Sequence, residues 1–555
     1  MLKRLLGAIR PAVLVVPIAV FLVMIMCGVA SGENFIAALK TAFTALMVNG
    51  SWLVSLGVLA FVVFMVFVMV HPVGNIRLGG RGAKPEYSLW NWFAISLCAG
   101  IGTGIVFWGP VEPLLFTAAS QAASGVAASS YEAVLWAFDK SYLHWSFAPY
   151  ACYCVFGVVL AYAIYNMRAP FSVSSGFAFL KRMSKKPSRL AGIVDTFMVF
   201  ALVGGVAGSL GYGLLQIGSG MSTVFGLEVS PALYVGICIV IVVTFTVASV
   251  TGMDRGIRWF ADKNAWMFLA LMLLAFFFGP AQWICNLFAE TVGHFLNGFV
   301  ASITAVTAFP DSGSVAGAAW AGSSELWPQW WDEYYFVDFL SFGAIVGLFS
   351  IKLAKGRTLR QYVVMNWLVP ALFGIVWFAV FGGLALDIQY NFAAYADKVD
   401  LQGCASLYAY MQQFGNEAMM LKVVEALPFS FLLKPLILLL VAISFVTLAD
   451  SMTSTISQIT LRGESAGEGE APMPIKVMWG VVIGAVAVVF TLTGNIEGIK
   501  IVKTICGYPV LIIGILMMLG FLMALSRKGS ALNAETHGER SGLGEAVASE
   551  AVDAE

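Results

Sequence analysis

Charge is scarce in this sequence. Only 11% of its 555 residues are charged, against roughly 25% in soluble globular domains. The 31 basic and 31 acidic residues cancel, which leaves no basic excess to attract nucleic acid. Histidine is scarcer still: His71, His144, His294 and His537 are too dispersed to suggest a metal cluster. The cysteines (Cys27, Cys98, Cys152, Cys154, Cys238, Cys285, Cys404 and Cys506) include no CxxC pair and no zinc spacing. They read as small core residues, although Cys285 and Cys404 fall near the expected outer face, where a pairing is open to them. No nucleophile–base pair, metal site or phosphate loop is visible. Catalysis is therefore not expected, and neither a cofactor nor a metal is implied.

What the chain has in excess is apolar surface, at 60% of residues. Apolar runs of spanning length recur near 11–31, 51–70, 89–118, 141–166, 192–219, 231–250, 264–283, 331–353, 363–388, 433–458, 475–493 and 500–525. About 20 apolar residues cross the hydrocarbon of a bilayer. Backbone groups in lipid must bond within their own segment, so each run is read as helix. The first run follows Lys3, Arg4 and Arg10 and is long enough to be a retained helix rather than a cleaved signal. The segments 33–49 and 291–309 read as helices lying outside the span, 390–427 as outer loops, and 526–555 as a disordered tail.

Loop charge orients the helices. With the N-terminus in the cytoplasm, every Lys and Arg falls on the inner side except Lys40, Lys140, Lys398, Lys422, Lys434, Lys500 and Lys503. A plasma-membrane protein with both termini cytoplasmic is expected. The tail is too short for a folded sensor domain and lacks a long basic helix.

Three features carry chemistry. Gly100, Gly102 and Gly104 alternate in the third run, with Ile101 between them. Such glycines suit unwound backbone beside a ligand, or close helix packing. Trp145 and Tyr153 share one face of the fourth run, with Tyr150 beside it, and Tyr335, Phe339 and Phe342 share a face of the eighth. Aromatic faces attract a quaternary ammonium group through the ring quadrupole, though such stripes also serve packing and the interfacial belt. Asp338 lies two turns into the eighth run, where an acid is costly and marks a functional site by default. Glu112, Asp195 and Asp450 are the other acids inside apolar runs.

The segment from Ala99 through Gly-Ile-Gly-Thr-Gly-Ile-Val-Phe-Trp-Gly-Pro-Val-Glu to Pro113 resembles the third helix of the betaine/choline/carnitine transporters. So do His144-Trp145, Pro149-Tyr150 and Tyr153, the stretch 355–361, Val369-Pro370, Phe381-Gly382-Gly383 and the stretch 445–451. The matches run in order over roughly residues 50 to 525. The resemblance implies an all-α, LeuT-like membrane fold of about 12 helices. Two peripheral helices (1–88) would precede two inverted five-helix repeats (89–283 and 331–525), joined by an amphipathic helix and outer loop (284–330). It implies a homotrimer and a trimethylammonium substrate bound among the third, fourth and eighth helices. Trp145, Tyr150 and Tyr153 match the family's site positions, Phe107 an aromatic position in the third helix, and Gly100, Gly102 and Gly104 the flexible stretch.

Two departures stand out. The family's eighth helix usually reads Trp-Thr-x-Phe-Tyr-Trp-x-Trp-Trp, whereas this chain carries Asp338 and Phe339 at the last two positions, with Phe342 one turn on. Sodium-coupled members use hydroxyls in the fifth helix and a Thr-Ser pair in the tenth. The resemblance aligns those positions with Leu202, Val206, Thr447 and Leu448. Leu and Val side chains supply no oxygen, although backbone carbonyls still could. Sodium-independent carriage of a cationic or zwitterionic methylated amine, by exchange or proton coupling, is expected, with Asp338 and Thr447 as coupling candidates. A carrier of a protonated amine held by Asp338 and a sodium-coupled betaine importer with backbone ligands are the alternatives.

Overall fold

The computed structural model describes residues 9–101, 104–180, 189–251, 256–306, 327, 329–462, 471–492, 496–528 and 530–537. Helices dominate them. Nine are long and apolar enough to cross a membrane, and the bent pair Leu89–Gly100 and Gly104–Gln121 makes a tenth. Shorter apolar helical stretches, Pro11–Cys27 and Met473–Val489, fall at the two remaining expected positions, the first of them as the start of a longer helix.

The first two expected spans are not separate elements. Residues 11–70 form one continuous helix, α1 (Pro11–Val70), which absorbs the 33–49 segment expected to lie outside the span. Its only internal proline is Pro17, so nothing in the second half interrupts the hydrogen-bond ladder. At its start Arg10 pairs with Asp195 at 2.7 Å. Asp195 also accepts from the Ser172 hydroxyl and the Ser174 amide, so this buried acid is satisfied structurally.

The third span is broken. α2 (Leu89–Ile101) and α3 (Gly104–Ser124) meet at 62° across the glycine stretch. The fourth is broken as well, into α4 (Tyr131–Trp145) and α5 (Phe147–Ala161), around Ser146 at φ −130°, ψ −120°. Pro149 explains the break. It has no N–H for the Trp145 carbonyl, and its ring crowds the residue four positions back. Both breaks therefore fall where the sequence places candidate site residues.

The following elements are α6 (Arg189–Phe225), α7 (Pro231–Thr251), α8 (Gly256–Phe278) and α9 (Ala281–Ile303). α9 is the amphipathic connector and begins ten residues earlier than the 291–309 reading. It buries Ile284, Leu287, Thr291 and Phe295, the spacing of one helical face. A π-helical turn, Gln329–Glu333, leads into α10 (Tyr334–Ala354). Then come α11 (Leu359–Val363), a second π-helical turn at Val364–Leu368 and α12 (Val369–Tyr390). The 390–427 stretch carries only short helices, α13 (Leu407–Phe414) and α14 (Met419–Val423) the longest. α15 (Ser430–Ile459), α16 (Met473–Leu492) and α17 (Ile496–Ser526) complete the bundle.

The tail departs from the expected disorder at one point. Ser530 caps a short helix, α18 (Ala531–Thr536), and Glu535 accepts a 2.9 Å hydrogen bond from Asn166. All eight cysteines are free, so the Cys285–Cys404 pairing is not made.

The pairing of α5 with α10 sets the position of the site. A Cβ added at Gly343 would lie 2.7 Å from the Cys152 carbonyl oxygen, and one at Gly347 2.9 Å from that of Tyr153. Small residues one turn apart let the two backbones touch. That contact brings the ring-bearing faces of both helices together.

Candidate functional site

The two helix breaks, α6, α10 and α15 enclose a cavity of ≈ 780 Å³, its mouth included. Gly100, Gly104 and Phe107 line it from the broken third span, and Trp145 and Tyr153 from the fourth. Tyr335, Asp338, Phe339 and Phe342 line it from α10. These residues were singled out in the sequence, and the fold brings them together.

The rings form one connected surface. Trp145 lies 5.8 Å from Phe339, and Tyr153 lies 5.3 Å from Phe339 and 5.4 Å from Phe342. Such edge and offset contacts are favoured between aromatic rings. Asp338 is 9% exposed and is the one charged residue among the described residues lining the cavity. Tyr334, one turn before it, engages both Asp338 and Tyr212. Aromatic faces together with one carboxylate and no basic residue select for positive charge.

The opposite wall was missed in the sequence. Ser209, Tyr212 and Gln216 on α6 line the cavity, joined by Trp108 and Leu448. The signal existed: positions 209, 212 and 216 follow helical spacing and form a polar stripe on a helix otherwise rich in Gly, Val and Leu. Tyr212 and Gln216 supply a hydroxyl and an amide across from the rings, whereas the Ser209 hydroxyl donates to the Gly205 carbonyl of its own helix.

Four other expectations fare differently. Tyr150 is buried and lines not this cavity but an adjoining one of ≈ 370 Å³, which shares Ala99, Gly100 and Tyr153 with it. Thr447 does not line the cavity. Its hydroxyl donates to the Ile443 and Ser444 carbonyls of its own helix, a local bond that buried Thr makes readily. Ile101 ends α2, its side chain not described, and Gly102 lies outside the described residues. Leu202 and Val206 are buried and bring no side-chain oxygen. No group of three His, Cys, Asp or Glu residues suited to a metal occurs among the described residues.

Behind the cage runs a buried polar chain. One carboxylate oxygen of Glu112 accepts from the Trp145 indole at 2.9 Å and from the Tyr335 hydroxyl. Its other oxygen lies 3.2 Å from His144 Nδ1, and His144 Nε2 lies 2.8 Å from Asp332. Asp332 pairs with Lys140 at 2.6 Å, and Lys140 reaches Ser302, which donates to Asp139. Glu112 and His144 are fully buried. The sequence placed Glu112 in a span and His144 beside Trp145, but it gave no reason to join them.

Removing one member of a buried charge pair leaves the other uncompensated, at about 3–5 kcal/mol. Lys140→Met is therefore expected to lower the unfolding midpoint in detergent. The double variant Lys140→Met/Asp332→Asn should recover part of that loss. A single variant as stable as the parent would remove Lys140 from the account.

Residues 12–530 match the model of the betaine/carnitine/choline family transporters. The chain is 29% identical to an ectoine/hydroxyectoine transporter of Virgibacillus pantothenticus, over 93% of this chain and 97% of that one. It is 31% identical to glycine betaine transporter 1 of Vibrio parahaemolyticus, over 81% and 80% of the two chains. A solved structure of a Na+-coupled sialic acid symporter, substrate-bound and outward-open, is similar at a TM-score of 0.40. That likeness has 13% identity and covers 86% of this chain and 92% of the other.

Proposed function

Because this chain belongs to the betaine/carnitine/choline transporter family, we propose that it carries a quaternary-ammonium or methylated-amine compound across the plasma membrane without sodium. The observation that carries this reading is Asp338 in a cavity walled by Trp145, Tyr153, Phe339 and Phe342. The substrate cation sits among these rings, and Asp338 supplies its countercharge. A zwitterion such as a betaine turns its carboxylate toward Tyr212 and Gln216, away from Asp338. Leu202 and Val206 offer no side-chain oxygens for sodium, which leaves the Thr447 hydroxyl oxygen as the one side-chain oxygen at the four aligned positions. Transport by alternating access is then driven by substrate exchange or by protons. The loop charge supports cytoplasmic termini, and the family resemblance supports a homotrimer.

Asp338 also favours a second reading, a carrier of a protonated amine, because a carboxylate accepts an N–H that aromatic rings alone cannot. A thermal-shift panel of glycine betaine, ectoine, choline, carnitine, butyrobetaine, sarcosine-type amines and polyamines separates the two. Fully methylated ligands stabilise the protein most under the first reading and amines with N–H under the second. In proteoliposomes, uptake of the best ligand is expected to be unchanged when potassium replaces sodium. Uptake that disappears without sodium would sink the sodium-independent reading.

A further inference from the structure

His144 is not part of the cavity wall, yet it occupies an unusual position. Both of its ring nitrogens face carboxylate oxygens, Nδ1 toward Glu112 at 3.2 Å and Nε2 toward Asp332 at 2.8 Å. Neutral imidazole has one N–H and one bare nitrogen. With both carboxylates ionised, the bare nitrogen would press its lone pair on a carboxylate lone pair, away from water. Both contacts become hydrogen bonds only when the cluster holds one further proton. We propose that His144 is a proton-binding site linked to substrate binding, with Glu112 passing its occupancy to the cage.

The linkage is built in. Glu112 holds the Trp145 indole and the Tyr335 hydroxyl with the carboxylate whose second oxygen meets His144. The Tyr335 ring also stacks on the imidazole, with centroids 4.3 Å apart. Loss of the proton removes one of the two N–H donors. The contact to Glu112 is the longer of the two, 3.2 Å against 2.8 Å to Asp332, so the loosened partner is Glu112, and with it two cage rings. What favours the proton therefore favours the closed cage, and a substrate held by that cage favours the proton in return.

The groups facing His144 are Glu112 from α3, Asp332 and Tyr335 from the start of the eighth span, and Lys140 one turn back on α4. Glu333, next to Asp332, is turned to Ser55 of α1. From Asp332 the chain continues through Lys140 and Ser302 to Asp139, with the exposed His294 near its end. The proton comes from water and returns to it, and only an N–H bond forms and breaks.

The chain has four histidines, so nitrogen NMR of full-length protein labelled with ¹⁵N-histidine, in lipid, can follow each one. Expected is a doubly protonated imidazole at pH 7 that disappears in His144→Gln. If that variant does not fold, His71→Gln, His294→Gln and His537→Gln identify the signal by elimination. A His144 that keeps one bare nitrogen from pH 5 to pH 9 overturns the proposal.

A second arm rests on the function proposed above and uses glycine betaine, with tryptophan fluorescence as the readout. Affinity is expected to change across the His144 titration by about 5- to 150-fold, the usual range of coupling between sites. The dependence should vanish in His144→Gln and persist in weaker-binding Asp338→Asn. Linkage lost in Asp338→Asn and kept in His144→Gln overturns the assignment. If glycine betaine does not bind the parent protein, the substrate reading fails and the NMR arm still decides the fate of His144.

Discussion

Asp338→Asn is expected to lower substrate affinity by about 100-fold while leaving the fold intact. Asn keeps the size and hydrogen-bonding capacity of the side chain but removes the charge. Withdrawing one partner from a desolvated ion pair costs about 3–5 kcal/mol, and each 1.4 kcal/mol is a factor of ten. The rings alone hold a cation with about 0.5–2 kcal/mol each, so binding is weakened rather than abolished. Asp338 is 9% exposed and lies against the Tyr334 hydroxyl, a partner that an amide oxygen also satisfies. The check is a binding isotherm for the best ligand of the panel, with Asp338→Glu as the charge-preserving control. An Asn variant that binds like the parent would show that the rings suffice without the acid.

Gly104→Ala is expected to abolish measurable transport, whereas Gly100→Ala stays near the parent. A Cβ at position 104 would lie 2.6 Å from the far edge of the Trp145 ring. That ring cannot step aside freely. Its indole N–H is tied to Glu112, and Tyr335, Phe339 and Phe378 surround it at 5.6–5.8 Å. Overpacking of this kind costs about 1–3 kcal/mol in a rigid interior, and here the strain falls on a ring that lines the cavity. At Gly100 an added Cβ meets nothing within 4 Å. Uptake into proteoliposomes by the two variants at matched expression tests the contrast. Equal activity would mean that Trp145 has room the structure does not show.

The contrast also separates what was legible in the sequence from what was not. Tyr335, Asp338, Phe339 and Phe342 could be read as one face because helical periodicity is local, and an acid in an apolar run is conspicuous by its cost. The alternating glycines marked a break, but only the packing tells Gly104, pressed on Trp145, from Gly100, which faces open space. Glu112 and His144 lie 32 positions apart, and His144 and Asp332 188 apart. Pairings of that separation leave no periodic trace. Ser209, Tyr212 and Gln216 did leave one, but small and apolar neighbours diluted it. Thr447 was singled out by analogy of position, and it lies away from the cavity wall, its hydroxyl donating to its own helix. The merged helix α1 escaped notice because a hydropathy window measures apolarity, and a polar interval can stay helical without it.

The backbone contact made by Gly343 and Gly347 limits how the cavity can open. α5 and α10 meet at the Cys152 and Tyr153 carbonyls, so Tyr153, Asp338, Phe339 and Phe342 form one wall. Tyr212 and Gln216 belong to α6, the facing wall. A zwitterion that spans both would draw them together by its two ends, whereas a simple cation would hold only the first. Ligand length and the carboxylate, more than the methylated head, would then decide which bound compounds are carried and which only occupy the site.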